Sequence, residues 1–438
     1  MLRAKNRTGL VFFPAFDWAI SATHPEREER LLYTQDQILE EGLLDIDGII
    51  EMKPDLANIQ DIQRVHFCVP DPWAVCTESH FISAGGAKTI GMAVMEGTID
   101  RGFALIRPPG HHAHRVVQGG RGFCNINTEA IMIEYLRQAY AIDRVAIVDT
   151  DCHHGDGTQD IYWHDPDTLF ISLHQDGRTL YPGTGFHDEL GGPNAAGTTI
   201  NIPLPPYTGD AGILYAIEET VLPILDEFQP QLIINSAGQD NHYSDPITNM
   251  NFSAQGYAKL TELLRADIAV LEGGYSIEGA LPYVNAGIIM AMAGLDYSNL
   301  HEPDYVKERF IQSRKLEKEI KKCCAASLDV WRKRHTLAQK LRGKKDSHIR
   351  KRQMYYDTDD ITEIQREEIR ICDDCAGAIQ IESEKGMESK SLCVHIPRKA
   401  CSRCQEQAKK WYDSADPQTY DHIFLQDRTT DDYLIKGE

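Results

Sequence analysis

The chain has 438 residues and a formal charge of −21, long enough for two or three domains and a full α/β core. That charge is uneven: residues 1–300 are acidic, 301–353 basic and the remainder acidic again, a split that suggests separate functional segments. An acidic first part repels nucleic acid and attracts cationic ligands such as amines or lysine-rich segments, although plain solubility explains it as well. Val11-Phe12-Phe13 is broken at once by Pro14, too short for a secretory core. The longest apolar stretch, around Ala286–Leu295, is far too short to cross a bilayer. The 11 cysteines are odd in number, and four fall in two C-x-x-C pairs, which favours metal binding in a reducing compartment over a disulfide framework. The expectation is a soluble, cytoplasmic protein without a membrane partner.

Through residue 300, strand-like runs alternate with helical patterns. Phe103–Ile106 is an apolar run ahead of Arg107-Pro108-Pro109-Gly110. Thr128–Tyr140 has helical spacing and leads into the run Val145–Val148. Thr168–Leu173 is a further strand, and Asp210–Phe228 is an amphipathic helix with Ile213, Leu214, Ile217, Val221, Leu222 and Leu225 on one stripe. Leu232–Ile234 and Ile268–Leu271 complete the series. Such alternation predicts an α/β fold, a parallel sheet covered on both faces, with the ligand site at the carboxyl ends of the strands. Residues 301–353 read as a basic helical linker ending in the loop-like Gly343–Ser347. This segment is either solvated or a docking surface for an anionic partner, nucleic acid included. Residues 354–438 form a small cysteine-rich module.

The polar heptad Asp151-Cys152-His153-His154-Gly155-Asp156-Gly157 lies where the Val145–Val148 strand should end. Side chains two apart on a strand share a face, which aligns Asp151 with His153. One carboxylate and one imidazole are two of the three protein ligands of an open catalytic zinc site. Asp240, after the Leu232–Ile234 strand and a glycine turn, is the third; Asp245, before Pro246, is a competing carboxylate that looks more like turn chemistry. His111 and His112 follow the Pro-Pro-Gly turn and suit acid and base work near neutral pH, with Asp149 and Asp156 available to orient them. Adjacent residues diverge, so one of the two histidines is expected near the reacting water. Tyr275, in Glu272-Gly273-Gly274-Tyr275, can donate to a developing oxyanion. Gly122-Phe123-Cys124 and the loop at Tyr181 place aromatics where they can wall a narrow tunnel.

In this order the motifs resemble the histone deacetylase and acetylpolyamine amidohydrolase family. The matching pieces are His24–Arg27, Arg107–Ala113, Gly122–Asn125, Asp149–Gln159, Tyr181–Gly185, Ser236–Pro246 and Leu271–Ser276, and the wording of several is closest to the class II and acetylpolyamine branches. The resemblance implies an arginase-like three-layer fold with a mainly parallel sheet of about eight strands. It implies catalytic zinc on Asp151, His153 and Asp240, the dyads His111–Asp149 and His112–Asp156, Tyr275 as the transition-state donor, and a substrate rim of Gly122, Phe123, Tyr181, Ile247 and Gly274. It also implies a potassium ion held by Asp149, Ser172 and main-chain oxygens of Asp151, His153 and Leu173. The family's polyamine-specific members hold a distal ammonium with a carboxylate where this chain has Ile247, which favours an acyl-lysine substrate. The segment Tyr257–Ala269 is about ten residues shorter than the family pattern. The function expected is hydrolysis of an acylated amine, with a small-metabolite amidohydrolase or a silent acyl-lysine-binding scaffold as alternatives.

Cys372-x-x-Cys375 and Cys401-x-x-Cys404 bracket a hairpin-like segment, Ala378–Ile381 and Leu392–Ile396 with Gly386 between. The pattern resembles a zinc ribbon with a second, structural zinc, in which Cys393 or His395 can replace a ligand. Its role is to cap the enzyme or to mediate homo-oligomerisation.

Overall fold

The structure is a computed structural model that describes residues 2–386 and 389–436. Eight strands build its larger sheet: β1 Arg3–Phe13, β2 Asp47–Met52, β3 Arg101–Ile106, β4 Val145–Asp149, β5 Thr168–Gln175, β6 Thr199–Leu204, β7 Leu232–Ala237 and β8 Ile268–Leu271. They lie in the order β2-β1-β3-β8-β7-β4-β5-β6, and every pair is parallel. Alternation along each strand divides the core in two. Val145 and Ile147 pack on one face with the helices Glu78–Met95 and Thr128–Tyr140. Ala146 and Val148 pack on the other with the helices Ala254–Leu264 and Leu281–Ala293. The expected α/β sheet between helical layers is therefore present. The four strands that lead into the chemically loaded loops, β3, β8, β7 and β4, are consecutive neighbours at its centre. Their carboxyl ends share one edge, so the loops must meet there.

Several boundaries differ from the sequence reading. The helix expected over Asp210–Phe228 is interrupted by a π turn at Ile217–Val221. The basic segment is not a solvated linker. Its helix, Arg314–Arg342, buries Ile320, Cys323, Cys324 and Trp331 in the main core beside β6, and Ser327 donates to the Asn201 carbonyl at 2.7 Å. A boundary at 353 also falls inside a strand, because β9 begins at Ser347.

Beyond the helix a second sheet forms from β9 Ser347–Tyr356, β10 Ile361–Arg370, β11 Ile379–Lys385, β12 Ser389–Ile396, β13 His422–Asp427 and β14 Asp432–Ile435, in chain order. Only β12–β13 is parallel, with the helix Ser402–Ser414 as its crossover. The β11–β12 hairpin is where the sequence places it. The module around it is a six-stranded sheet rather than a small ribbon. Among the described residues no helix is long and apolar enough to cross a membrane.

Candidate active site

Asp151 and His153 come together by a route other than strand alternation. Strand β4 ends at Asp149, and the bend that follows folds so that Asp151 Oδ1 accepts the His153 N–H at 2.8 Å. From the neighbouring strand end, Asp240 Oδ1 accepts the Cys152 N–H at 2.7 Å and Oδ2 lies 2.8 Å from His153 Nδ1. One donor atom from each of Asp151, His153 and Asp240 lies within 4.8 Å of the others, and all three residues are buried. The turn above them has no space for a side chain: a Cβ on Gly273 would collide with the carboxylates of Asp151 and Asp240.

Two buried carboxylates converging on one imidazole nitrogen have the donor set of a divalent zinc-type site. Burial and the charge on Asp151 both raise the pKa of Asp240. A bound cation reverses that penalty by stabilising the ionised pair. Asp245 is not part of the cluster. Its Oδ2 accepts the Tyr275 N–H at 2.8 Å and its Oδ1 the Ile247 N–H at 3.0 Å, so it ties two rim segments together.

Both tandem histidines face the cluster. Arg107–Arg115 is a turn rather than a strand, so the rings of His111 and His112 lie side by side with centroids 4.1 Å apart. The expected divergence does not occur. His111 Nδ1 is 3.2 Å from Asp149 Oδ2, its Nε2 is 3.8 Å from Asp151 Oδ2, and His112 Nδ1 is 2.8 Å from Asp156 Oδ1. Burial, then the neighbouring charge on His111, pushes His112 down to about 3. Burial opposes charge on His111 too, but Asp151, Asp149 and Glu272 outweigh it and raise its pKa.

Aromatic rings enclose the approach. Tyr181 sits 5.3 Å from the His112 ring, and Phe123 meets Tyr275 edge-on at 5.5 Å. Gly122 has φ +53°, and a Cβ there would strike the His112 imidazole. Gly274, with φ +126°, offers its carbonyl to Arg30 Nε at 2.7 Å. An open groove of about 560 Å³ beside Tyr275 takes in Ile247 and Glu278. Register places Asp149 opposite Ser172 on β5, next to Leu173, although the Ser172 hydroxyl also bonds His174 Nδ1 at 2.8 Å.

Sequence reasoning passed over the supports behind these groups. Glu272 accepts the N–H groups of Gly110 and His111 at 2.7 and 3.0 Å and so fixes the histidine turn. Burial, with Glu129 nearby, raises its pKa to about 8 even against the charge on His111. Arg121 binds Asp156 through Nη2 at 2.5 Å. Glu26 pairs with both Arg30 and Arg107 at full burial; Glu26 and Arg107 lie in the motif pieces His24–Arg27 and Arg107–Ala113, and the i,i+4 spacing to Arg30 is the further signal the sequence offers for this network. In the second sheet the four sulfurs of Cys372, Cys375, Cys401 and Cys404 cluster within 4.8 Å. Cys393 lies instead in the core that the second sheet shares with Phe67, Val69 and Val116 of the catalytic part, and His395 bonds Gln426 at 2.6 Å, so neither substitutes for a cysteine.

Residues 74–289 match the family model described as the histone deacetylase domain. A probable deacetylase of Archaeoglobus fulgidus is 44% identical over 337 residues, spanning 70% of this chain and 92% of that protein. The histone deacetylase-like amidohydrolase of Pseudomonas aeruginosa is 34% identical over 254 residues, 54% of this chain and 66% of that protein. The crystal structure of the HDA15 HD domain superposes with a TM-score of 0.65 at 27% identity, covering 77% of this chain and 99% of that domain. With the parallel sheet, the buried donor cluster and these relatives together, the chain belongs to the histone deacetylase family of amide-hydrolysing deacetylases.

Proposed function

We propose that this protein is a zinc-dependent deacylase that removes an acetyl or other acyl group from an amine, most naturally the side chain of an acyl-lysine. The observation that carries this reading is the convergence of Asp151, His153 and Asp240 with two histidine–carboxylate pairs and Tyr275 at one buried strand edge. Zinc held by those three residues would polarise the acyl carbonyl and acidify a water. His112, oriented by Asp156, or His111, oriented by Asp149, takes the proton of the attacking water, and the pair returns one to the leaving amine. Tyr275 donates its phenolic hydrogen to the developing oxyanion. Phe123 and Tyr181 hold the aliphatic stem of the substrate between them and keep bulk water out. Ile247 stands where a carboxylate would hold a distal ammonium directly, and its apolar side chain at that position favours the acyl-lysine side chain over an acetylpolyamine.

Two further ions fit residues of this chain. Four thiolates at Cys372, Cys375, Cys401 and Cys404 suit a structural zinc. Asp149, Ser172 and nearby main-chain oxygens, Leu173 among them, suit potassium. The central experiment is Tyr275→Phe assayed on an acetyl-lysine peptide. Loss of the oxyanion donor should cost about 3–4 kcal/mol of barrier, a hundredfold or more in turnover, with bound zinc unchanged. An unaltered rate removes Tyr275 from the mechanism.

A further inference from the structure

The turn joining β9 to β10 reaches away from its own sheet and onto the mouth of the catalytic site. Asp357 Oδ1 accepts the Gly122 N–H at 2.9 Å and the Tyr181 hydroxyl at 3.1 Å. Asp359 Oδ2 accepts the Gly120 N–H at 2.6 Å, and the Tyr355 carbonyl accepts Arg121 Nη1 at 2.6 Å. These anchors fall on Tyr181 and on the loop that carries Phe123, the two aromatics flanking the substrate path. The base of the hairpin is fixed as well, because Arg352 of β9 forms an ion pair with the buried Asp160.

Asp357 itself remains exposed. Both bonds that hold its carboxylate fall on Oδ1, and among the described residues Oδ2 has no hydrogen-bond partner. The far side of the mouth is also anionic. The groove beside Tyr275 is edged by Glu29 and Glu278, and its one arginine, Arg27, lies 3.5 Å from Glu29. A substrate chain leaving the tunnel therefore meets carboxylates in both directions.

We propose that Asp357, delivered by the C-terminal module, is a specificity-determining residue that selects acylated amines carrying positive charge next to the scissile amide, such as acyl-lysines in lysine- or arginine-rich segments. This rests on the deacylase reading above and adds the charge class of the substrate. The hairpin is thus a working part of the catalytic mouth.

The test compares two acetyl-lysine peptides that differ only in having arginines or glutamines beside the modified lysine. Each is assayed with the zinc-loaded wild type and with Asp357→Asn. Asparagine keeps an oxygen acceptor for Gly122 and Tyr181, so the hairpin stays seated while the charge is removed. At low salt the wild type should favour the arginine peptide in kcat/KM by roughly fivefold, the size of one exposed ion pair at about 4 Å in water. The preference should appear in KM and fade as ionic strength rises. In Asp357→Asn it should fall below about twofold. A ratio left intact in the variant, or one equal in the wild type at every salt concentration, overturns the proposal. Failure to cleave either peptide would sink the deacylase reading instead. Fluorescence anisotropy of the same labelled peptides would still decide the role of Asp357 from their relative Kd values.

Discussion

His66 shows how a single buried ring can tie stability to pH without entering the chemistry. Its Nδ1 lies 2.8 Å from the His114 carbonyl, and its Nε2 accepts the Asn127 N–H at 2.9 Å. One nitrogen must donate and the other accept, so the backbone partners specify the neutral ring. Burial, against a weaker opposing pull from the His114 carbonyl, lowers its pKa to about 3. In the unfolded chain the same ring titrates near its ordinary 6.5, so below that pH the unfolded state binds the extra proton. The His66 contribution is therefore complete above about pH 6.5 and shrinks as pH falls toward 3. His66→Gln should destabilise the protein at pH 7.5, and that penalty should be roughly 2 kcal/mol smaller at pH 5, from 1.36 kcal/mol per pH unit. Urea midpoints of both proteins at the two pH values measure it, and an equal penalty at both shows that His66 carries no proton linkage. In the sequence His66 is one more histidine between Val65 and Phe67. Its role depends on main-chain groups 48 and 61 residues away, which no local pattern displays.

At the scale of elements, the helix Arg314–Arg342 holds the β6 edge of the main sheet in place. Trp331 is 3% exposed, meets Phe228 edge-on at 6.3 Å and donates Nε1–H to Glu227 at 2.7 Å. Trp331→Ala should cost about 3–5 kcal/mol in chemical denaturation, as deletion of a buried indole does, whereas the exposed neighbour Lys333→Ala should stay within about 0.5 kcal/mol. Near-equal effects would return the helix to the status of a solvated spacer. The sequence suggested that spacer because basic residues outnumber acidic ones along the helix and its buried stripe is narrow. The central strands were legible for the opposite reason: Val145–Val148, Leu232–Ile234 and Ile268–Leu271 are buried on both faces and read as unbroken apolar runs. Strand β10 was hidden because its inward positions are Glu363, Gln365, Glu367 and Ile369. Three of the four are polar: Glu367, for instance, faces His164 of the catalytic part at 2.7 Å. Period-two hydrophobicity is absent where a sheet packs on a charged partner surface, so a reading built on that period counts the hairpin and misses most of the sheet. The motif loops were legible as residue types, and so were the residues of the donor cluster. Asp149 and Asp156 were legible beside them, but the roles of Glu26, Glu272, Arg30 and Arg121 were not, since buried ion pairs give no periodic signal.

For the molecule as a whole, the contact between the second sheet and the catalytic part decides whether it behaves as one unit or two. Phe67, Val69 and Val116 of the catalytic part share a core with Ile369, Ile379, Ile381, Cys393 and Phe424 of the second sheet. Around that core run ion pairs from Arg64 to Asp431 at 2.8 Å and Arg428 to Glu134 at 3.2 Å and a hydrogen bond between His164 and Glu367 at 2.7 Å, all with less than an eighth of either side chain exposed. Pulling the two parts apart would break the Arg428–Glu134 contact, leaving Arg428 with Asp431 and Glu134 with Arg137, and would expose the apolar core to water. The cost of separation is then carried chiefly by the hydration of Phe67, Val116, Ile369, Ile379, Ile381 and Phe424, which lose their apolar contacts. Either part alone is thus poorly stabilised, and partial unfolding is disfavoured relative to loss of the whole. Calorimetry of the metal-loaded protein should accordingly give one transition, with calorimetric and van't Hoff enthalpies in a ratio near one. Tyr275→Phe, which leaves the interface intact, should keep that single peak. Two resolved peaks, or loss of the second sheet's circular dichroism before catalytic activity falls, would mean that the C-terminal sheet folds as an independent module. In that case the hairpin at the catalytic mouth would be a movable appendage.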